Sequence, residues 1–134
     1  MCMSSHRKTI LVIHPANYTA DQASAHDAAA IRRLLGDLGY IAVSADGPRA
    51  ARKALGTVRF DLIFTSIGHA EGGGSFVQDL RALAPGSAVV GIGEQDRSAV
   101  NEAWLGECDA TVRAPLSPSR VRWALDFELR YFGS

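Results

Sequence analysis

The chain has 134 residues, the usual size of a single domain with one hydrophobic core. Its 47% hydrophobic and 21% charged residues exclude a disordered, collagen-like or coiled-coil protein. Fourteen Lys and Arg balance fourteen Asp and Glu, so no overall field attracts the chain to nucleic acid or to an anionic membrane. We therefore expect any partner to be recognised by a local surface.

Residues 1–8 are polar and basic, and we predict a disordered tail there, followed by one domain over residues 9–132. The apolar runs have four or five residues, far fewer than a signal peptide or a membrane span needs, so we expect a cytoplasmic protein. Cys2 and Cys108 lack CxxC spacing and are too few for a disulfide framework. They are predicted to be free thiols.

Short apolar runs alternate with stretches of helical character along the chain. Four runs lack alternation with polar residues and are rich in β-branched side chains, which predicts strands buried on both faces. They cover residues 9–13, 40–44, 61–65 and 88–92, and a fifth strand is predicted over residues 110–113.

The first helix is predicted from apolar residues that recur every three or four positions, with Gly39 as its C-cap. These residues are Ala28, Ile31, Leu34, Leu35 and Leu38. Four more helices are predicted over residues 48–55, 75–83, 98–105 and 117–132, the last with Ser117 as N-cap and Pro118 at its first position. This alternation predicts an α/β fold: a doubly wound, five-stranded parallel sheet with right-handed crossovers.

In such a sheet the ligand site lies beyond the carboxyl ends of the strands. The residues that end the runs there are His14-Pro15, Ser66, Gly93-Glu94 and Ala114-Pro115. The order of these motifs resembles the CheY-like receiver domains of bacterial response regulators, from Thr9 to about Leu129. The resemblance is most specific over residues 61–66, with Gly74 eight residues on, and over residues 103–115, followed by Leu116-Ser117-Pro118. It implies a flavodoxin-like (βα)5 fold with strand order 2-1-3-4-5.

Receivers use an acid pair to hold magnesium, an Asp to accept the phosphoryl group, and a Thr or Ser and a Lys to hold the phosphate. The resemblance places these roles on residues that are chemically different: His14, Pro15, Ser66, Gly93 and Ala114. Magnesium needs oxygen ligands, and phosphoryl transfer needs metal and cationic groups. The sequence therefore predicts a degenerate pseudo-receiver with no catalytic residue, no cofactor and no enzymatic activity.

Ser66 is predicted to be a strand-end residue whose hydroxyl bonds to backbone or water. As a nucleophile it would need a base, and His14 or His69 is the only candidate. His14, His69 and Glu94 would suit a transition metal if they met at this edge, but their spacing is not a metal signature. No metal site is expected.

Gly72, Gly73, Gly74 and Ser75 form a loop that resembles a phosphate-binding P-loop without its lysine. The amides of the helix that follows are able to hold an anion. An alternative function is therefore a sensor that binds a small molecule, nucleotide or anion over this loop, at the carboxyl edge of the sheet.

The fourth helix, fifth strand and last helix form a face that receivers use for pairing, and this sequence is apolar there. Val100 and Trp104 are four residues apart and share a helix face, which by the resemblance points outward. On the last helix one apolar stripe is expected to pack on the sheet, and a second consists of Trp123, Phe127 and Tyr131. Trp, Tyr and Arg are enriched in interfaces. The predicted interface comprises Val100, Trp104, Arg113, Arg120, Trp123, Phe127 and Tyr131.

The alternative for these rings is that they cover the edge of the domain's own core. On the interface reading, we expect a phosphorylation-independent receiver domain of bacterial signalling that acts as a dimerisation or protein-docking module. Its partner would be a second copy, a separate protein or an attached output domain. Neither nucleic acid nor a membrane is an expected partner.

Overall fold

The structure is a computed structural model that describes residues 9–14, 31–68, 75–93, 99–113, 119 and 121–123. The strands are β1 (Thr9–His14), β2 (Ile41–Asp46), β3 (Leu62–Thr65), β4 (Ala88–Gly93) and β5 (Ala110–Arg113). The helices are α1 (residues 31–37), α2 (Gly47–Thr57), α3 (Phe76–Leu83), α4 (Ala99–Leu105) and α5 (residues 119 and 121–123). The predicted tail, residues 1–8, lies outside the described residues. Among the helices described, none is long and apolar enough to cross a membrane.

The predicted fold is confirmed. The five strands form one parallel sheet in the order β2-β1-β3-β4-β5. In this register Ile10 of β1 lies between Ala42 of β2 and Leu62 of β3. At the other edge Gly93 pairs with Arg113. The carboxyl ends of all five strands therefore meet at one end of the sheet.

The sheet is covered on both faces by apolar side chains. One core cluster joins α1 and α5 to the sheet through residues such as Ile31, Leu35 and Val121. The opposite cluster joins α2, α3 and α4 to the sheet, and its buried members include Phe76 and Leu80. Helices thus lie on both faces, as expected for a doubly wound parallel sheet.

The end of α1 confirms the predicted C-cap. Gly39 has φ +92°, a left-handed conformation that glycine adopts without steric cost. Its N–H donates to the Gly36 carbonyl at 3.0 Å, and the Tyr40 N–H donates to the Leu35 carbonyl at 2.9 Å. This hydrogen-bond pattern is a Schellman motif, which satisfies carbonyls at the helix end and turns the chain into β2.

Strand β2 differs from the prediction in position and in burial. It was predicted over residues 40–44 as a strand buried on both faces, but it runs from Ile41 to Asp46 and is half-exposed. It forms an edge of the sheet, and Ile41 is 45% exposed. The apolar run packs against helices on both faces of the sheet, but the strand has a neighbouring strand on one side only, so its burial is partial. The strand passes directly into α2 at Gly47, which has φ +87°.

Two aspartates secure the starts of strands in the same way. Asp61 precedes β3, and its carboxylate accepts from the Thr9 N–H at 2.9 Å while its own N–H donates to the Thr9 carbonyl at 2.8 Å. Asp109 precedes β5 and makes both bonds to Val89, each at 2.8 Å. Each carboxylate accepts from a backbone N–H that has no partner in the strand ladder, and this favours the observed register.

Candidate functional site

Three of the five positions that the sequence resemblance assigns to the receiver's catalytic residues are described, and they lie at the carboxyl edge of the sheet. His14 ends β1, Ser66 follows β3, and Gly93 ends β4. Pro15 and Ala114 lie outside the described residues. The topology therefore brings His14, Ser66 and Gly93 to one edge, as the sequence predicted for a ligand site of this fold.

His14 is buried at this edge and paired with a carboxylate. Its side chain is 4% exposed, and its Nε2 lies 2.9 Å from Oδ1 of Asp46, the residue opposite it in the parallel ladder. Asp46 also stands at the N-cap position of α2, where its side chain makes no capping bond. Asp46 was not predicted as a site residue because β2 was expected to end at Ser44. The sequence signal for it is an acidic residue followed by Gly47-Pro48, because an Asp shortly before a proline is typical of a helix N-terminus.

Ser66 has the environment expected of a structural hydroxyl. Its Oγ donates to the Ile13 carbonyl at 3.2 Å, and its backbone N–H donates to the same oxygen at 3.1 Å. The prediction that this hydroxyl bonds to backbone is confirmed. Next to it, the Thr65 hydroxyl accepts from the Ile67 N–H at 3.0 Å and donates to the Ile67 carbonyl at 2.9 Å. These local bonds fix the chain as it leaves β3.

Trp104 is buried, which corrects the prediction that it lies on an exposed face of α4. The side chain is 7% exposed and belongs to the core cluster on the α2–α4 side of the sheet. A β-carbon on Gly68 would lie 1.9 Å from its Cγ, and one on Gly91 would lie 3.2 Å from its Cζ3. The two glycines have no side chain, and the indole occupies the space that this leaves in the core. The side chain of Val100 lies outside what the structure describes.

The glycine-rich loop is described only at its last member. Gly72, Gly73 and Gly74 lie outside the described residues, whereas Ser75 is the N-cap of α3 and accepts from the Gln78 N–H at 3.2 Å. The Ser75 hydroxyl also donates to a carboxylate oxygen of Glu107 at 2.5 Å. A negative charge of the chain itself therefore already lies at this helix start, and it would repel an incoming anion. Sequence reasoning missed Glu107 because it is distant in the chain.

The predicted interface on α5 is described in part. Trp123 is 53% exposed, whereas Val121, two residues earlier, is 1% exposed and packs in the core. These values agree with the predicted division of the helix into a buried stripe and an exposed one. Arg113 pairs in β5 but its side chain is not described. The other members, Arg120, Phe127 and Tyr131, lie outside the described residues.

Within the described ranges, the remaining reactive groups show no metal or nucleophile arrangement. No group of three or more His, Cys, Asp or Glu is placed to hold a metal ion there, and His69 and Glu94 fall outside them. Cys108 is a free thiol, as predicted. Burial, with a smaller effect from the Asp109 carboxylate, raises its pKa to about 12, so it is a poor nucleophile at neutral pH.

Comparison with known proteins yields structural relatives only. No family model matches the sequence, and no curated protein does either. The solved structures that resemble it include a CheY-like response regulator receiver domain protein from Methanospirillum hungatei JF-1. The TM-score is 0.74 at 16% identity, over 96% of this chain and 98% of that one. The chain has the receiver fold.

Two further receivers give the same picture. The signal receiver domain of an HD domain-containing protein from Pseudomonas fluorescens Pf-5 has a TM-score of 0.77 at 16% identity, over 99% of this chain and 94% of that one. The receiver domain of NtrX from Brucella abortus has a TM-score of 0.71 at 16% identity, over 91% of this chain and 98% of that one. At these identities the comparison establishes the receiver fold, and the chemistry has to be argued from this chain's own residues.

Proposed function

We propose that this protein is a receiver-fold module of bacterial two-component signalling that works without phosphorylation of an aspartate. The observation that carries the proposal is the hydroxyl of Ser66, the residue that the resemblance assigns to the phosphoacceptor position, which donates to the Ile13 carbonyl. A hydroxyl in this geometry needs a base to attack phosphorus, and the Nε2 of His14 is engaged by Asp46. The receiver fold of the structural relatives supports the signalling role.

We also propose that the module is not an enzyme, and the residue types at the same site support this. Phosphoryl transfer proceeds by neutralising charge on the phosphoryl oxygens with a metal ion and cationic side chains. Magnesium prefers oxygen ligands in an octahedral arrangement, and the position of the receiver's acid pair holds an imidazole here. Gly93 supplies no hydroxyl where receivers hold the phosphate. Among the described positions that the resemblance assigns to the receiver's catalytic residues, none carries a carboxylate or a lysine.

Intact-mass spectrometry after incubation with acetyl phosphate and magnesium tests the proposal. We expect no mass increase in the wild type or in Ser66→Asp, because the added carboxylate still lacks the acid pair and the lysine. A conventional receiver domain in the same buffer serves as the positive control. A gain of one phosphoryl group on the wild type would refute phosphorylation independence. A gain on Ser66→Asp alone would show that our account of the pocket is wrong.

We further propose that α5 carries the docking face. Trp123 exposes about half of its surface, 53%, next to the exposed Arg122, on a helix whose Val121 is anchored in the core. Large aromatic side chains with neighbouring arginines are typical anchors of protein interfaces. The partner is a second copy, a separate protein or an attached output domain. Trp104 is not part of this face because it is buried.

Sedimentation equilibrium over a wide concentration range tests the docking face, with Trp123→Glu as the variant. If copies pair through α5, the added charge should weaken the dimer at least tenfold. Gln78→Glu is the matched control, since it adds the same charge at an exposed position on α3. Equal weakening by both variants would remove α5 as the pairing surface. A wild type that stays monomeric at every concentration would exclude the second copy and leave a different protein as the partner.

A further inference from the structure

A second concave surface lies at the opposite end of the sheet from the candidate site. It is a groove of about 380 Å³ between the α2–β3 connection and the α3–β4 connection, at the amino ends of β3 and β4. One wall runs from Leu55 to Phe60 and the other from Leu83 to Ser87. None of the described residues of the receiver site or of the α5 face lines the groove, and the function proposed above does not use it.

The backbone of the groove is held in place by hydrogen bonds. Across its floor the Ser87 hydroxyl donates to the Phe60 carbonyl, and both residues are buried. On one wall the Val58 N–H donates to the Ala54 carbonyl at 2.9 Å, which ends α2. On the other wall the Ala84 N–H donates to the Leu80 carbonyl at 2.9 Å. A surface fixed in this way loses little conformational entropy when a partner binds.

The rim of the groove is apolar and unusually exposed. Val58 is 43% exposed and Leu83 is 50% exposed, and they are two of the four large hydrophobic side chains that are exposed in the described part of the chain. Both line the groove, together with Leu55 and Pro85. Exposed apolar side chains gathered at one concavity are typical of interaction sites.

Arg59 adds a positive charge to this apolar surface. Its Nη2 lies 3.6 Å from where a β-carbon on Gly86 would be, so the guanidinium lies across the groove. No carboxylate among the described residues pairs with it. Arg52 and Arg81 differ, since they bind Asp79 at 2.8 Å and Asp109 at 2.6 Å. The guanidinium of Arg59 is therefore available to a carboxylate from outside, to which its planar donors are well matched.

We infer that this groove is a docking site for a protein partner, which inserts a short segment that carries a large apolar side chain and a carboxylate. The apolar side chain would lie between Val58 and Leu83, and the carboxylate would pair with Arg59. Charge complementarity selects an acidic segment over a basic one. The open shape and exposed rim favour a peptide segment over a small molecule, which would be largely enclosed in its site.

Selection from a phage-displayed random dodecapeptide library tests this inference. Peptides that bind the wild type are synthesised with a fluorophore, and their dissociation constants are measured by fluorescence anisotropy. We expect them to share an Asp or Glu close to a Leu, Ile or Phe. We also expect at least tenfold weaker binding to Arg59→Glu and to Leu83→Asp. Arg59→Gln, which removes the charge without reversing it, should fall between the wild type and Arg59→Glu.

The controls are Arg122→Glu, a matched charge reversal on α5, and Trp123→Glu, and both should bind the peptides as the wild type does. Circular dichroism checks that every variant is folded. Failure to select peptides, or peptides that bind Arg59→Glu and Arg59→Gln unchanged, would overturn the inference. Self-association that Leu83→Asp dissociates and Trp123→Glu does not would identify a second copy as the occupant, and would also overturn it. Because no described residue of the α5 face lines the groove, loss of either proposal leaves the other standing.

Discussion

Replacing Gly68 with alanine should be severely destabilising, and the reason is one aromatic ring. A β-carbon at this position would lie 1.9 Å from Cγ and 2.1 Å from Cδ2 of Trp104. Carbon atoms pack at about 3.5 Å or more, so the ring would have to move by at least about 1.6 Å. The indole is rigid, 7% exposed and part of a core cluster, so moving it disturbs the core residues packed with it.

The magnitude follows from the two changes taken separately. Inserting a methyl group into a packed core costs about 1–3 kcal/mol, and truncating a buried Trp to Ala costs about 3–5 kcal/mol. In the double variant the methyl group enters the space that the ring has left, so Gly68→Ala should cost less than about 0.5 kcal/mol in that background. We therefore expect a coupling energy of about 2 kcal/mol, with the double variant more stable than the sum of the single changes predicts.

Urea unfolding of the wild type, Gly68→Ala, Trp104→Ala and the double variant measures this coupling. Gly56→Ala is the matched control, because a β-carbon on Gly56 meets nothing within 4 Å and the residue lies in α2. It should raise the free energy of unfolding by up to about 1 kcal/mol through helix propensity. If Gly68→Ala costs the same with and without the indole, the buried placement of Trp104 against Gly68 is refuted.

Three further predictions concern the end of the molecule near Glu107. Burial, followed by the Asp109 charge, raises the pKa of Cys108 from 9.0 to about 12, so the unfolded chain releases this proton first as pH rises. The free energy of unfolding should then fall by up to about 1.4 kcal/mol per pH unit within that interval, and Cys108→Ala should lack this slope in urea titrations at stepped pH. Ser75→Ala should lower the free energy of unfolding by about 1–2 kcal/mol, because it removes the α3 cap and the bond to Glu107, whereas Ser75→Thr should retain most of it. Inorganic phosphate and nucleotides should leave the thermal midpoint of the wild type unchanged; a midpoint that rises with ligand concentration would restore the sensor hypothesis.

The architecture was predictable because local signals agreed with one another. Short β-branched runs alternated with helical patterns, and Gly39 ended the first helix as its left-handed conformation requires. Strand β2 was less accessible to this reasoning. An edge strand and a central strand have the same sequence pattern when both are apolar. The ladder with β1 also extends β2 to Asp46, a polar residue type that is typical of loops. The burial of a strand depends on its position in the sheet, and the strand's own sequence does not specify that position.

The properties of the site that depend on residue type were predictable from the sequence. Those that depend on which segments pack against each other were not. A serine at a strand end without an activating base was predicted to bond to backbone, and it does. The predicted exposure of Trp104 was wrong because a helical spacing of four indicates which residues share a face but not which face is buried. The deciding features are Gly68 and Gly91, which come from separate segments and leave space for the indole only when β3 and β4 lie side by side.

The polar groups at the carboxyl edge of the sheet bond within the fold, so building a phosphorylation site there would need several changes together. Ser66 gives its hydroxyl proton to the Ile13 carbonyl, and a carboxylate in its place would face that carbonyl oxygen with no proton to donate. His14 holds Asp46, and a carboxylate at position 14 would put two negative charges side by side unless a metal ion joined them. Each single step towards a phosphorylatable receiver is therefore unfavourable on its own. The function proposed above would then depend on surfaces, and the described part of the chain offers the exposed indole on α5 and the apolar groove with Arg59 for it.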